Sequence, residues 1–139
     1  MIWRFAYDRP IYAQIIEHMQ RGIVSGEYPP GSNMPSVRAL ALEAEVNPNT
    51  MQRALSELEA MGLLHTQRAS GRSVTENAKL IAEFKEKLAE EYITGFFLGM
   101  GTLGIESKEA IVILNNAAKE VSGSSKKQVS ASAVRKEVE

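Results

Sequence analysis

Apolar residues recur along the start of the chain with the period of an α-helix. A stripe at every fourth position predicts a first helix with one buried face: Ile11, Ile15, Met19 and Ile23. Pro10 stands where this helix would begin, and the segment 26–35, rich in proline and glycine, would end it. The chain therefore opens with one amphipathic helix followed by a loop.

Two further helices are predicted between residues 36 and 62. Ser36 stands at the N-cap position of a short helix with one apolar face. Asn47 caps the next helix, and Pro48 occupies its first position, where the missing N–H costs nothing. This third helix is expected to end near Met61–Gly62, because glycine is the usual residue after a helix end.

The following segment has the pattern of a small hairpin. Leu64, Thr66 and Val74 favour strands, and Ser70–Gly71 is a turn signal. Three helices followed by a hairpin predict a mainly α winged helix-turn-helix domain over residues 1–75, with the hairpin as its β wing.

The remainder predicts a short two-helix domain over residues 76–121. A long helix should run from Asn77 to about Met100, where Gly99, Gly101 and Gly104 break it, and Ser107 should cap a last helix. Two helices cannot bury both of their apolar faces, so a second copy of the chain is the simplest partner. The residues predicted for this homodimer interface lie along the long helix: Leu80, Phe84, Leu88, Tyr92, Gly95, Phe96 and Gly99. Residues 122–139, rich in serine and charge, predict a flexible tail.

The third helix is predicted to have an unusual outer face. At about 100° per residue, Met51, Leu55 and Leu58 point inward. The opposite side carries small and uncharged polar residues with a single cation: Asn49, Gln52, Arg53, Ser56 and Ala60. Amide side chains can pair with adenine and arginine with guanine in a DNA major groove. A weakly charged solvated face would look the same, but the preceding helix and the following hairpin favour DNA.

The distribution of charged residues along the chain says more about function than the net charge does. The net charge of −1 gives no indication of nucleic acid, yet every basic residue through Thr75 is an arginine, which suits directed contacts. The absence of cysteine excludes disulfides and thiolate metal sites and fits the cytoplasm. No signal peptide or membrane span is expected, because the apolar stretch 93–105 is short and interrupted by glycines. His18 and His65 have no neighbouring acid–nucleophile set, so we expect no enzyme, no metal and no cofactor.

These motifs together resemble a known family. "MPSVRALALEAEVNPNTMQRALSELEAMGLL" followed by "TQRASGRSV" closely resembles the winged helix-turn-helix domain of the GntR family of bacterial transcriptional regulators. The short C-terminal part is similar to the YtrA subgroup, because other branches carry larger domains that could not fit after Thr75. The sequence departs from the family at Ala69 and Ser73 in the wing, and Pro48 replaces an arginine found in many relatives.

The resemblance implies a homodimeric, mostly repressing protein that binds double-stranded DNA with an inverted repeat. It implies DNA contacts from the second helix, the third helix and the wing tip: Ser36 and Arg38; Asn47, Asn49, Thr50, Gln52 and Arg53; Arg68, Ser70, Gly71 and Arg72.

Two other functions stay open at this point. A winged helix can also bind a partner protein as an adaptor without specific DNA binding. A ligand-responsive sensor is compatible with a regulator, with a small-molecule effector in a niche around Phe96 and Phe97.

Overall fold

The computed structural model describes residues 2–69 and 71–124, and contacts within the chain divide it into two units, Met1–Lys87 and Leu88–Glu139. The elements follow one another as α1 (Ile11–Val24), α2 (Val37–Ala44), α3 (Pro48–Ala60), β1 (Leu64–Gln67), β2 (Gly71–Val74), α4 (Ala78–Thr102) and α5 (Ser107–Ser124). The predicted mainly helical fold with a two-stranded wing is confirmed.

The first unit has its core where α1 and α2 pack against α3. The stripe predicted for α1 supplies Ile15, Met19 and Ile23, all buried. The core side of α3 is completely buried as the helical spacing requires, and it consists of Met51, Ala54, Leu55 and Leu58. Burial of this side fixes which residues of α3 face outward.

The ends of α3 are set by local hydrogen bonds. The Asn47 side-chain oxygen accepts from the backbone N–H of Asn49 at 2.7 Å, and Pro48 takes the first helical position. At the other end Gly62 adopts a φ of 84°, and the N–H of Leu63 donates to the carbonyl of Leu58 at 3.0 Å. This arrangement satisfies the last carbonyls of the helix, as a glycine stop does.

The turn between α2 and α3 is held by a residue in a left-handed conformation. Glu45 has a φ of 57°, and the N–H of Val46 donates to the carbonyl of Ala41 at 3.0 Å. Ser36 caps α2, because its hydroxyl accepts from the N–H of Ala39 at 3.1 Å. The helix-turn-helix pair is therefore defined by hydrogen bonds at both of its N-caps and at the turn.

The wing is supported on both sides. Within the hairpin, Leu64 pairs with Val74 and Thr66 with Arg72. The outer edge of β2 accepts a second segment, because the N–H of Met34 donates to the carbonyl of Arg72 at 2.8 Å. The N–H of Val74 in turn donates to the carbonyl of Ser32 at 2.9 Å, so the base of the wing is fixed by backbone bonds.

A clamp on the N-terminal segment was not anticipated from the sequence. The buried side chain of Gln14 accepts from the N–H of Ala6 at 2.7 Å and donates to the carbonyls of Ala6 and Arg9. Trp3 stacks on His18 with 4.0 Å between ring centroids, and its indole N–H donates to Glu43 at 3.1 Å. The segment before α1 is thereby attached to α1 and α2.

The beginning of α4 belongs to the first unit. Leu80, Ile81 and Phe84 are partly buried against its core. Leu80 and Phe84, which are also predicted for the homodimer interface, are thus partly covered by their own chain.

The second unit differs from the prediction at its helix ends. Gly99 and Gly101 do not break α4, which continues to Thr102. The helix stops where Gly104 adopts a φ of 76° and the N–H of Ile105 donates to the carbonyl of Met100 at 3.0 Å. Ser107 is the first residue of α5 rather than its cap.

The helix α5 extends to Ser124, so the first three residues of the predicted flexible tail, 122–124, are helical. The rest of that predicted tail lies outside the described residues.

Candidate nucleic-acid interface

The outer face of α3 is exposed as the helical spacing predicted. The residues opposite the core side are all solvent-accessible: Asn49, Gln52, Arg53, Ser56 and Ala60. The Gln52 amide lies 3.4 Å from the Ser56 hydroxyl, a long hydrogen bond that a better partner could replace. This face therefore offers amide and guanidinium groups near the start of α3, and its outward side chains become small toward the C-terminal end of the helix.

The capping residues carry part of their hydrogen-bonding capacity into the fold. Asn47 uses its side-chain oxygen for the helix cap, so its amide N–H2 group is the part left for a ligand. Ser36 likewise accepts from Ala39 and keeps its hydroxyl proton to donate. Both residues are exposed, and in these roles they suit phosphate oxygens better than base edges.

Arg53 is exposed but has a defined neighbour. Its guanidinium lies over the ring of Tyr12 on α1, 3.8 Å from the ring centroid. Thr50 and Asn49 line the same shallow depression between α1 and α3. A guanidinium stacked by its face still presents its N–H groups at the edge, so the contact orients Arg53 without using its donors.

Arg38 lies on the first turn of α2 and is exposed. It follows Ser36 by two residues, so both occupy the N-terminal end of the same helix. The free N–H groups of a helix start favour a phosphate, and an arginine beside them adds a bidentate donor.

The wing residues have different environments. Arg68 is exposed near the turn, Gly71 has a φ of 78°, and Ser70 lies outside the described residues. Arg72, predicted as a wing-tip contact, instead pairs with Glu59 at 2.5 Å, and only 15% of its side chain is accessible. In this structure the ion pair with Glu59 occupies Nε of Arg72.

A role for Glu59 was not predicted, because no sequence motif connects it with its partners in the wing. Its carboxylate accepts from the Thr66 hydroxyl and from Nε of Arg72, each at 2.5 Å. Burial acts to raise the pKa of Glu59, but the two hydrogen bonds and the Arg72 charge outweigh it and lower that pKa. At about 100° per residue, helical spacing places Glu59 only at the margin of the outer face of α3.

The two histidines have separate settings. His18 is half-buried beneath Trp3, and burial, followed by the charge of Arg21, lowers its pKa. His65 is exposed on β1. Across residues 2–69 and 71–124 no group of three or more histidine, cysteine or acidic side chains is placed to hold a metal ion.

The second unit exposes apolar side chains on both helices. Tyr92 is 58% accessible, and a turn of α5 exposes Ile111, Val112, Ile113 and Leu114. Phe96 and Phe97 contact each other edge to face with 5.2 Å between centroids. Among the described residues, no helix is long and apolar enough to cross a bilayer.

Comparison with known proteins agrees with this geometry. The family model described as bacterial regulatory proteins, gntR family, matches residues 11–74, which contain the three helices and the wing. The chain is 39% identical over 108 residues to the HTH-type transcriptional regulator YhcF of Bacillus subtilis, covering 78% of this chain and 89% of that protein. It is 34% identical over 118 residues to the HTH-type transcriptional repressor YtrA of Bacillus subtilis, covering 84% and 91%.

A solved structure supports the fold over most of the chain. The GntR family transcriptional regulator from Listeria monocytogenes superimposes with a TM-score of 0.74 at 36% identity, covering 81% of this chain and 98% of that one. The chain belongs to the GntR family of bacterial regulatory proteins, in its YtrA-type branch, and is a DNA-binding transcription regulator rather than an enzyme.

Proposed function

We propose that this chain is a homodimeric repressor that binds an inverted-repeat operator in double-stranded DNA. The observation that carries the proposal is the exposed, nearly uncharged face of α3. The Tyr12 ring contacts Arg53 on this face but leaves it exposed. In this proposal Gln52 and Arg53 contact base edges in the major groove. Location with the DNA in the cytoplasm follows from that activity.

Phosphate contacts would position the helix in the groove. Ser36 and Arg38 lie at the start of α2, while Asn47 and Thr50 flank the start of α3. Donors at two helix starts can bind the phosphates on either side of one major groove. Arg68 and Gly71, near the turn of the wing, would then contact the backbone or the adjacent minor groove.

The second unit supports the dimer part of the proposal. Its exposed apolar residues would remain in water in a single chain, which costs free energy that a second copy would recover. A Cβ at Gly95 or Gly99 would meet nothing within 4 Å in its own chain, so these positions leave room for close approach of a partner helix. Leu88, Tyr92 and Phe96 complete the proposed interface, within the predicted dimerisation segment 76–121.

Two-fold symmetry of such a dimer explains the inverted repeat, because each copy would present one α3 to one half-site. Repression is proposed from the likeness to YtrA, which is described as a transcriptional repressor. Whether a small-molecule effector regulates the chain is tested by measuring operator affinity in the presence of candidate compounds.

The test is selection of duplexes from a random pool by the full chain, together with sedimentation velocity. The proposal expects a dimer, an enriched inverted repeat, and an affinity that falls steeply with salt as phosphate contacts release counterions. A protein-interaction adaptor would enrich no motif. If the chain is a monomer that binds a single half-site, the proposed DNA binding would stand and the proposed dimer would be refuted.

A further inference from the structure

The contact between Glu59 and the wing has a consequence for how the wing meets DNA, provided that the chain binds DNA as proposed. Thr66 and Arg72 stand directly opposite each other on β1 and β2. Cross-strand partners project from the same face of a hairpin, so one carboxylate can reach both. Glu59, the second-last residue of α3, does so.

Both carboxylate oxygens of Glu59 are occupied. Oε2 accepts from the Thr66 hydroxyl and Oε1 accepts from Nε of Arg72, at 2.5 Å in each case. The Glu59 side chain is 28% accessible and that of Arg72 is 15% accessible, so the pair is partly shielded from solvent. Charge-assisted hydrogen bonds in such a setting are stronger than ordinary surface contacts.

The other side of the wing is already fixed by backbone hydrogen bonds. The carbonyl of Arg72 accepts from the N–H of Met34, and Asn33 forms a bridge with Ser73. The segment 32–34 thus holds one edge of β2, while Glu59 binds side chains from both strands. These contacts connect the wing to the segment 32–34 on one side and to α3 on the other.

We propose that Glu59 is a positioning residue that sets the orientation of the wing relative to α3. In this arrangement Arg72 holds the wing in place and does not contact DNA, and Arg68 is the arginine through which the wing binds. The pair also has no net charge, so Glu59 does not repel the phosphates that α3 must approach.

The first test separates a structural Arg72 from one that binds phosphate. Replacing the ion pair with Glu59→Gln and Arg72→Met together leaves the net charge unchanged. The salt dependence of DNA affinity should then keep its slope while affinity falls. Arg68→Ala should reduce the slope by about one phosphate contact. A slope that falls by the same amount in the double variant would overturn the role given to Arg72.

The second test measures whether Glu59 acts through Arg68, which it does not touch in the described contacts. Arg68→Ala should weaken operator binding in the wild-type background and at least about twofold less in the Glu59→Gln background, the lower range of coupling between interacting sites. Glu57→Gln is the matched control, because Glu57 is an exposed acid on the same helix. It should leave the Arg68 effect unchanged.

Equal losses in the two backgrounds would overturn the inference while leaving DNA binding intact. If wild-type protein bound no duplex, the proposed function itself would fail and the inference with it. Thermal melting of each variant shows that it is folded at the assay temperature. If Glu59→Gln is not folded at the assay temperature, Thr66→Val takes its place, because it removes one hydrogen bond of Glu59 without changing charge. Thr66→Val should then reduce the effect of Arg68→Ala in the same direction but by a smaller amount.

Discussion

The guanidinium of Arg53 lies 3.8 Å from the centroid of the Tyr12 ring, and this contact joins α3 to the start of α1. Arg53 is therefore not a freely rotating surface residue, although it is exposed. A stacked arginine loses less conformational entropy when it binds a planar or anionic partner. Specificity at this position is expected to depend on both residues.

Replacing Tyr12 tests that dependence. Tyr12→Leu should weaken operator binding, whereas Tyr12→Phe should retain it, because the ring face and not the hydroxyl carries the contact. The measurement is a double-mutant cycle with Arg53→Ala on the operator. The cycle should give a coupling of about 0.5–1 kcal/mol, the range for exposed cation–π pairs. Simple additivity of the two substitutions would show that the stack does not contribute.

The glycines of α4 test the dimer. Within one chain, Gly99→Ala should stabilise the helix by roughly 0.5–1 kcal/mol, since its Cβ meets nothing within 4 Å. If a partner helix packs there, the added methyl should instead weaken association, as measured by sedimentation over a concentration series. A helix stabilised with unchanged association would remove Gly99 from the interface. Gly123→Ala, also open within the chain and on α5, is the control.

Gly22 tests the packing behind α1. A Cβ at Gly22 would lie 2.5 Å from Cε2 of Tyr28, which is closer than any real contact. Gly22→Ala should lower the free energy of unfolding by about 1–3 kcal/mol, the usual cost of overpacking. Denaturant unfolding measures it. If Tyr28→Leu restores the stability of Gly22→Ala, the clash is the cause, and a loss that Tyr28→Leu leaves unchanged points elsewhere.

His18 should make stability depend on pH. Burial and the Arg21 charge lower its pKa, against smaller opposing effects of Glu27 and Glu43. The unfolded chain then binds the proton more tightly than the folded chain does. The free energy of unfolding should therefore be highest above the ordinary histidine pKa of about 6.5 and decrease as pH falls from there toward the folded-state pKa.

The measurement is the thermal midpoint of wild type and His18→Gln between neutral pH and about pH 5, the interval in which histidine changes charge. The variant should show a flatter profile over that interval. Identical slopes for wild type and His18→Gln would contradict the assignment.

Periodic features of the fold could be predicted because they depend on local sequence. The buried side of α3 follows from helical spacing, and Asn47 and Pro48 specify its start through capping chemistry. The ion pair of Glu59 with Arg72 could not be predicted, because it depends on hairpin register and on the angle between hairpin and helix. Neither quantity is encoded in a short motif.

The error at Gly99 and Gly101 has a simple energetic cause. A glycine inside a helix costs only about 1 kcal/mol relative to alanine, and the surrounding helix formers offset it. Gly104 ends α4 because it adopts a left-handed conformation after the last turn, which the other two glycines do not. The contact of Leu80 and Phe84 with the core of their own chain could not be predicted, because an apolar stripe does not indicate which surface will cover it.

The most direct test of the account is the affinity ratio between the selected operator and random duplex for wild type, Gln52→Ala, Arg53→Ala and Arg21→Ala. The exposed Arg21 lies on α1, outside the proposed interface, and controls for lost charge. Each α3 substitution should cost about 1–3 kcal/mol on the operator and little on random duplex, because base contacts are lost. Equal losses on both duplexes, or an equal effect of Arg21→Ala, would contradict base recognition by α3.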